Sequence, residues 1–590
     1  MRELRSILPY FRPYMRGFVL GLVCAGLANV LQIAAPYLTK LVIDGLSDPG
    51  VTRATIFRLG ALIVLAAAVG GFFRWAMREL INGISRRIET DLRNDFFRHL
   101  LWLDATFYGT KRTGDLMSLA TNDTSAVRMA AGPAVMYLAN TAVTFVFAIG
   151  MMLWITPRLT LLAMIPMLAL PAIVLGFGKV IHVRYEQIQE QFAALSTFVQ
   201  ENLSGARIVR AYTREREQMG RFDAFNDDYR ARNMGLARTS GAFHPLLSLL
   251  SGVAMVLVTG LGSLEVMAGR ITLGDFVAFS MYLTMLVWPM IALGWIVNLF
   301  QRGEASMGRL NVVLRAQPAV QAPSEPAPIP KVRGEVEFRG VSFRYPGTER
   351  AVLEDVSFVA KAGQTVAIVG PTGAGKSTLV ALLARIYDAT SGVITLDGVP
   401  LGTLDPAELR SHIGMVPQDP FLFSDTIERN IGLGLAGAAV GEPAREKGVQ
   451  RAARVAQLHE QILEFPNEYD TMLGERGINL SGGQKQRATL ARALARDPAI
   501  LVLDDALSAV DTHTEAAILG DLRGALRGTT SFIISHRVSA VMHADQILVL
   551  DRGRIVERGR HAELIAADGT YARLLRRQLL EEDLETAAVG

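Results

Sequence analysis

The first half of the chain contains five long stretches without a charged residue, at residues 17–39, 129–157, 159–178, 239–264 and 276–301. A helix of about 20 apolar residues crosses the roughly 30 Å of hydrocarbon in a bilayer. A sixth, shorter run at 59–73 is flanked by Arg58 and Arg74, whose long side chains can reach the membrane interface. Alone it would suit a buried helix of a soluble protein equally well, but its five longer neighbours favour a sixth span. The pattern predicts a membrane domain of six helices.

This membrane domain is expected to cover residues 1–315, with spans at about 17–44, 57–79, 129–155, 158–180, 239–265 and 275–301. The start of the chain is basic, but no small-residue cleavage pattern follows the first apolar run, so we interpret that run as a membrane helix rather than a removed signal peptide. Lysine and arginine concentrate in two long connections, at 86–128 and 179–238. The positive-inside bias places both connections and both ends of the domain in the cytoplasm, as in a multi-pass protein of the cytoplasmic membrane.

Apolar residues in the second long connection recur at helical spacing, as in the row Phe192, Leu195, Val199 and Leu203. Such a period indicates helix rather than loop. We therefore expect the membrane helices to continue well beyond the bilayer as long cytoplasmic extensions.

Residues 316–333 are rich in proline and alanine and are predicted to form a linker. After it, short Val/Ile-rich runs at 365–369, 500–503 and 531–534 alternate with helical patterns. Strands that alternate with helices are typical of an α/β domain. We place this domain at 334–577, followed by a polar C-terminal tail at 578–590.

Composition supports a membrane protein, since 50% of the 590 residues are hydrophobic and only 20% are charged. The 60 basic residues nearly balance the 56 acidic ones, which leaves a net charge of +4 and gives no reason to expect a nucleic-acid partner. The single cysteine, Cys24, excludes a disulfide within the chain.

A phosphate-binding motif follows the apolar strand at 366–369. Its residues are Gly370, Pro371, Thr372, Gly373, Ala374, Gly375, Lys376 and Ser377, and a helical run begins at Thr378. Glycines allow successive backbone N–H groups to turn inward and cradle phosphate oxygens at a helix N-terminus. In this motif the lysine neutralises the β- and γ-phosphates and the serine hydroxyl ligates Mg²⁺, so a nucleoside triphosphate and Mg²⁺ are expected. By itself the motif leaves GTPases, kinases and helicases open.

A second motif, at Ser481, Gly482, Gly483 and Gln484, follows Leu480. A serine and two glycines at a helix start form an anion-binding nest suited to a γ-phosphate. The pentapeptide resembles the signature of ATP-binding-cassette (ABC) ATPases, and the six spans with their linker resemble the half-transporters of exporter type, so the resemblance covers nearly the whole chain. It implies ATP and Mg²⁺ as cofactors and an ABC-type P-loop domain that works as a dimer, in which each signature closes over the nucleotide of the other subunit.

The same resemblance implies further roles. Tyr345 matches the aromatic residue that faces adenine, Gln418 the glutamine near Mg²⁺ and the attacking water, Asp504 the carboxylate of the Mg²⁺ shell, and His536 the switch histidine near the γ-phosphate. Residues 473–477 resemble an exporter-specific element, and 509–511 resemble a dimer-contact loop. Residues 104–123 and 212–222 match the coupling segments of such transporters and are expected to pass the motion of the cassette to the membrane helices.

One position departs from the family pattern. Asp504 is normally followed by a glutamate that acts as the base, but here it is followed by Asp505. Aspartate withdraws its carboxylate by about 1.5 Å, one C–C bond, whereas a base must come within about 3 Å of the water that it activates. The signature is nevertheless intact. We favour one subunit of a heterodimer whose partner carries the glutamate, over a homodimer that uses Asp505 as the base.

These observations predict an ABC exporter half-transporter that moves hydrophobic or amphipathic small molecules through the lipid bilayer by alternating access. The spans are almost free of ionisable groups, and aromatic and methionine residues such as Trp288 and Trp295 suit apolar cargo. A lipid flippase of the same fold remains the alternative. A soluble ABC protein would lack the spans, and an importer normally carries its helices and cassette on separate chains.

Overall fold

The computed structural model describes residues 2–46, 51–329, 331–435, 442–474, 477–525 and 528–589. It divides the chain into two compact units. The first comprises Met1–Trp102 and Arg112–Ala316, and the second comprises Leu103–Lys111 and Gln317–Gly590. The short segment Leu103–Lys111 therefore belongs to the second unit, although residues of the first unit precede and follow it in sequence.

Helices build the first unit. Their bounds, in chain order and including α4 of the second unit, are α1 Leu8–Phe11, α2 Met15–Leu46, α3 Arg53–Trp102, α4 Ala105–Thr110, α5 Thr113–Ser118, α6 Thr124–Met129, α7 Val135–Ile155, α8 Pro157–Ser204, α9 Ala206–Ala211, α10 Glu215–Met267 and α11 Leu273–Leu314. Within the described residues, six continuous helical stretches are long and apolar enough to cross a membrane. The six-helix prediction is confirmed.

Three of these helices are much longer than a bilayer requires. Helices α3, α8 and α10 contain 50, 48 and 53 residues. At 1.5 Å per residue, each is about 70–80 Å long, more than twice the thickness of the hydrocarbon layer. The predicted extensions beyond the bilayer are therefore present. The limits proposed for each span stay predictions, because helix length does not locate the bilayer.

Small residues allow the helices of the first unit to approach closely. A Cβ added to Gly303 of α11 would lie 2.4 Å from the Cβ of Ala130, and one added to Gly132 would lie 2.4 Å from the Cβ of Ser85. Helix pairs in membranes are commonly joined through such residues, because van der Waals contact replaces the hydrophobic effect there. Fully buried Tyr282 adds a hydrogen bond from its hydroxyl to the Ile33 carbonyl at 2.9 Å.

The second unit contains two sheets. Strands β1 Val336–Phe343, β2 Leu353–Ala360, β4 Ser391–Leu396 and β5 Val399–Pro400 form an antiparallel sheet in the order β2-β1-β4-β5. The larger sheet has the order β10-β9-β3-β8-β7-β6, with β3 Thr365–Val369, β6 Ile413–Val416, β7 Ile500–Asp504, β8 Thr530–Ile534, β9 Gln546–Asp551 and β10 Arg554–Gly559. All neighbours in it are parallel except β9 and β10. The predicted α/β domain is confirmed.

Helices cover the larger sheet, as the nearly continuous burial of its central strands requires. The helices of the second unit after α4 are α12 Lys376–Leu383, α13 Pro406–Ser411, α14 Ile427–Gly432, α15 Glu442–Val455, α16 His459–Leu463, α17 Gly482–Ala495, α18 Thr512–Ala525, α19 Val538–Val541, α20 His561–Ala566 and α21 Thr570–Val589. One apolar core lies between the two sheets around α12, and a second surrounds α14 to α17. Helix α21 continues through the segment that the sequence analysis treats as a polar tail.

Candidate nucleotide-binding site

The site is assembled by the order of the parallel strands. Strand β3 leads into the glycine-rich loop, β8 ends two residues before His536, β7 ends at Asp504, and β6 ends two residues before Gln418. These four strands are consecutive neighbours in the sheet. Because the carboxyl ends of parallel strands meet at one edge, the topology brings together residues that are up to 166 positions apart (370 to 536) in sequence.

The glycine-rich loop requires glycine for two reasons, its backbone conformation and its close approach to neighbouring residues. Gly370, Gly373 and Gly375 have φ values of +152°, +80° and +102°, in the region where a side chain is strained. A Cβ on Gly370 would also lie 2.0 Å from the Leu550 carbonyl oxygen, and one on Gly375 would lie 2.8 Å from a Leu353 methyl carbon. The loop then enters the N-terminus of α12. This is the cradle that a chain of phosphates requires.

Lys376 lies in this cradle and is only 7% exposed. Its Nζ donates hydrogen bonds to the carbonyl oxygens of Gly370 at 2.8 Å and Pro371 at 2.9 Å. Burial lowers the pKa of Lys376, while the carboxylates of Asp504 and Asp505 oppose that shift. A partly desolvated cation held at the loop gains strongly from an anionic ligand.

Asp504 is 5% exposed at the end of β7. Burial raises the pKa of its carboxyl, against the hydrogen bond from the Ser377 hydroxyl and the charges of Lys376 and His536. Among the residues that the structure describes, no three His, Cys, Asp or Glu side chains gather as a metal site. Mg²⁺ usually binds proteins through one or two carboxylates together with substrate phosphates and water, so the Ser377–Asp504 pair beside a phosphate cradle fits it.

Asp505 adopts a left-handed backbone conformation, with φ +49°. Its N–H donates to the Ile534 carbonyl at 2.9 Å, and its own carbonyl accepts from the Ser508 hydroxyl at 3.1 Å and from Gln486 Nε2 at 3.4 Å. Aspartate tolerates this region better than most residues. Because hydrogen bonds hold both the N–H and the carbonyl of Asp505, the distance that its carboxylate can reach is limited by the length of the side chain.

The signature residues form the first turn of α17. Ser481 Oγ accepts from the Gln484 N–H at 3.2 Å, and Gln484 Oε1 accepts from the Ser481 N–H at 2.9 Å, which is a complete capping box. A Cβ on Gly483 would lie 2.9 Å from the Ala509 carbonyl oxygen. Glycine at this position therefore allows the signature helix to lie against the segment that follows Asp505.

Gln486 is a functional candidate that the sequence analysis missed. It is 4% exposed, and its side chain donates to Ser508 Oγ at 2.8 Å and accepts from the Ala509 N–H at 2.9 Å. Together with its bond to the Asp505 carbonyl, these contacts join the signature helix to residues 505–509. A polar residue at a core position of an amphipathic helix is the signal that would have indicated it.

Tyr345 is fixed next to the P-loop helix. Its hydroxyl lies 3.0 Å from Thr378 Oγ1, and its ring meets those of Phe343 and Tyr387 edge to face, with centroids 4.9 and 5.4 Å away. Gln418 and His536 are both exposed at the sheet edge. Of the element at 473–477, residues 475 and 476 lie outside the described residues.

Comparison with known proteins agrees with this arrangement. Residues 18–290 match the family model described as ABC transporter transmembrane region, and residues 353–508 match the one described as ABC transporter. The chain belongs to the ABC transporter family. This ABC transporter carries its membrane region and its ATPase domain in one chain, as expected of a half-transporter.

Its relatives match over nearly their whole length. The Multidrug resistance-like ATP-binding protein MdlA of Escherichia coli is 39% identical over 100% of this chain and 98% of its own. The ATP-dependent lipid A-core flippase of Pseudomonas aeruginosa is 34% identical over 96% of this chain and 95% of its own. A solved bacterial Atm1-family ABC exporter with ATP bound superposes with a TM-score of 0.79, at 29% identity, over 96% of this chain and 99% of that one. The exporter fold is thereby confirmed.

Proposed function

We propose that this chain is one half of an exporter that uses ATP to move hydrophobic or amphipathic compounds out across the cytoplasmic membrane, with both termini and the cassette in the cytoplasm. The observation that carries the proposal is the edge of the larger sheet, where Lys376, Ser377 and Asp504 meet at a glycine cradle. The described part of the same chain also includes six helices long enough to cross a membrane. The multidrug-like names of relatives such as MdlA support the cargo class.

Each site residue has a proposed role. The N–H groups of the loop from Gly370 to Thr378 and the Lys376 ammonium bind the phosphates, and the Tyr345 ring supports the adenine. Ser377, Gln418 and Asp504 hold Mg²⁺, which supplies positive charge to the phosphate oxygens when it is bound. His536 contacts the γ-phosphate. The residues Ser481 to Gln484 close over the nucleotide of the partner subunit.

Hydrolysis at this chain's own site depends on Asp505. Its backbone is fixed by bonds to Ile534, Ser508 and Gln486, so the carboxylate does not advance to compensate for the methylene that a glutamate would add. We propose that the partner is a different ABC half-transporter with glutamate at this position, and that its site performs most of the turnover. The intact signature of this chain then serves the competent site.

The cargo class is supported by α11. Met281, Trp288 and Trp295 repeat every seven residues along this helix and are 37%, 63% and 43% exposed in the single chain. By contrast, Tyr282 is fully buried and its hydroxyl donates a hydrogen bond to the Ile33 carbonyl, so its side chain is not available to cargo. Flat aromatic and flexible thioether side chains suit varied apolar molecules. The lipid A-core flippase among the relatives makes lipid the second candidate cargo.

The test is transport by the complex that co-purifies with this chain, reconstituted into lipid vesicles. We expect ATP-dependent accumulation of a lipophilic cationic dye in inside-out vesicles, and its loss in a Lys376→Ala variant. A fluorescent phospholipid in the same vesicles is the comparison. ATP-dependent movement of the phospholipid without movement of the dye would replace export by lipid flipping, and movement of neither would contradict both.

A further inference from the structure

Arg385 occupies an unusual position at the end of the P-loop helix α12. The Arg385 N–H donates to the Leu382 carbonyl at 3.0 Å and the Ile386 N–H to the Ala381 carbonyl at 2.9 Å. This pair of bonds is the Schellman motif, whose left-handed residue is usually glycine. Here that residue is an arginine with φ +47°, and it is 4% exposed. Both the strained backbone and the buried charge oppose stability, so the side chain is expected to have a purpose.

The guanidinium of Arg385 divides its donors among three acceptors. Nε donates to Asp388 Oδ1 at 2.9 Å, Nη1 to the Leu404 carbonyl at 2.7 Å, and Nη2 to the Gln321 carbonyl at 3.1 Å. Gln321 belongs to the segment that the sequence analysis predicts to be a linker. The P-loop helix is therefore bonded directly to the chain that enters the cassette.

The same segment is bonded to α4. The Val320 N–H, next to Gln321, donates to Asp104 Oδ2 at 3.0 Å, while Asp104 Oδ1 accepts from the Phe107 N–H at 3.3 Å and caps α4. Helix α4 connects in sequence to membrane helix α3. Two adjacent linker residues thus contact Asp104 on one side and Arg385 on the other.

We propose that Arg385 is a positioning residue for transport: it passes movement of the P-loop helix, through Gln321 and Val320, to the Leu103–Lys111 segment. Helix α12 has eight residues, with Lys376 at its start and Arg385 two residues beyond its end. A short helix moves as a rigid body, so a change in the phosphate cradle displaces both ends. This inference rests on the proposed function, because it assumes that nucleotide drives the membrane helices.

The test uses full-length complex with one reporter cysteine. Met281→Cys is introduced into a Cys24→Ser background, since Cys24 is the chain's single cysteine, and the maleimide labelling rate is measured with and without a non-hydrolysable ATP analogue. Steady-state KM for ATP is measured in parallel. The variants are Arg385→Gly, which relieves the backbone strain, Arg385→Lys, which keeps the charge but has one nitrogen, and Asp104→Ala. Arg410→Gln is the matched control, because Arg410 donates to the Ala384 and Arg385 carbonyls at the same helix end but to no described residue of the linker.

For Arg385→Gly and Asp104→Ala we expect the nucleotide-induced change in labelling to fall about tenfold, the effect on an equilibrium of losing one charge-assisted hydrogen bond. KM for ATP should stay within about twofold. The double variant should lose no more than either single one, because both break the same connection. Arg385→Lys should recover part of the response, and Arg410→Gln should keep it.

Two outcomes overturn the inference. A normal labelling response in Arg385→Gly shows that the arginine is only structural, and additive losses in the double variant show two independent connections. If the reporter protein with native Arg385 shows no response to nucleotide, the proposed transport cycle itself fails. The two kinds of failure are therefore distinguishable.

Discussion

Two substitutions in this chain should have very different effects on ATP turnover by the complex if Asp505 is a poor base and the signature closes over the partner's nucleotide. Asp505→Asn removes the charge at nearly constant volume, and asparagine tolerates the left-handed backbone that this position requires. Ser481→Arg places a bulky cation in the nest that closes over the partner's γ-phosphate. We expect the first to leave ATP turnover by the complex nearly unchanged and the second to abolish it.

The magnitudes follow from the contacts. If the partner's site performs most turnover, Asp505→Asn should change kcat less than about twofold, or 0.4 kcal/mol. Ser481 makes the capping-box bond to the Gln484 N–H, so Ser481→Ala loses a cap worth about 1 kcal/mol, or about fivefold in rate if that loss is fully expressed in closure. Ser481→Arg adds obstruction of the nest, and loss of such preorganised donors costs about 100-fold or more.

The assay is steady-state ATPase activity of the co-purified pair that carries each substitution, with Ser481→Ala as the control for helix capping. The decisive comparison is between Asp505→Asn and Ser481→Arg. If the asparagine variant loses about 100-fold or more, as expected on removal of a working general base, Asp505 is catalytic and the asymmetric dimer is wrong. Equal, small effects of Ser481→Ala and Ser481→Arg would show that the nest does not close over nucleotide.

Three further outcomes are expected. Lys376→Ala should raise the Kd of a fluorescent ATP analogue at least about tenfold, because the phosphates lose a buried cation; unchanged affinity would contradict its role. Gly370→Ala should lower the free energy of unfolding by about 3 kcal/mol. Gly373→Ala has open space around the added Cβ and should lower the free energy of unfolding by only about 1 kcal/mol; equal losses would contradict the steric argument. Although burial opposes it, hydrogen bonds from two N–H groups at the start of α21 lower the pKa of Glu557, so its stabilising contribution is present above about pH 4.3 and is lost as the pH falls through the lower folded pKa. Glu557→Gln should therefore lower the Tm at pH 7, and this Tm difference should shrink as the pH is lowered below about 4.3; a Tm difference that does not change with pH would refute this.

The placement of many of the site residues could be predicted, because their motifs lie at the ends of strands. The run before Gly370 and the run that ends at Asp504 are short and apolar, and parallel strands deliver their carboxyl ends to one edge. The six spans were predictable for an equally simple physical reason, since charge-free runs of this length have few other uses. The roles of Tyr345, Gln418 and His536 rest on family resemblance, and they stay predictions.

Other features depend on contacts that no local pattern encodes. The left-handed backbone of Asp505 is held by its bonds to Ile534, which is distant in sequence, and to Ser508, which lies in the irregular segment after β7. Leu103–Lys111 looks like a break between helices of the membrane domain, yet it belongs to the same compact unit as the cassette, and its Asp104 accepts from the Val320 N–H, 216 residues away. The role of Gln486 likewise could not be predicted from the sequence, because it depends on the hydrogen bonds that this side chain makes with residues 505–509.

The contacts of Gln486 have a consequence for how this transporter can be altered. Its side chain bonds the Asp505 carbonyl, Ser508 and the Ala509 N–H, and so joins this segment to α17, whose first turn would close over the partner's nucleotide in the proposed dimer. In that dimer, a substitution that bends the chain at 505 would change catalysis in the other subunit, even if the local site hydrolyses nothing. The two ATP sites would then not be independent in mutagenesis, and a replacement of Asp505 would leave the partner's site intact only when it preserves the left-handed turn.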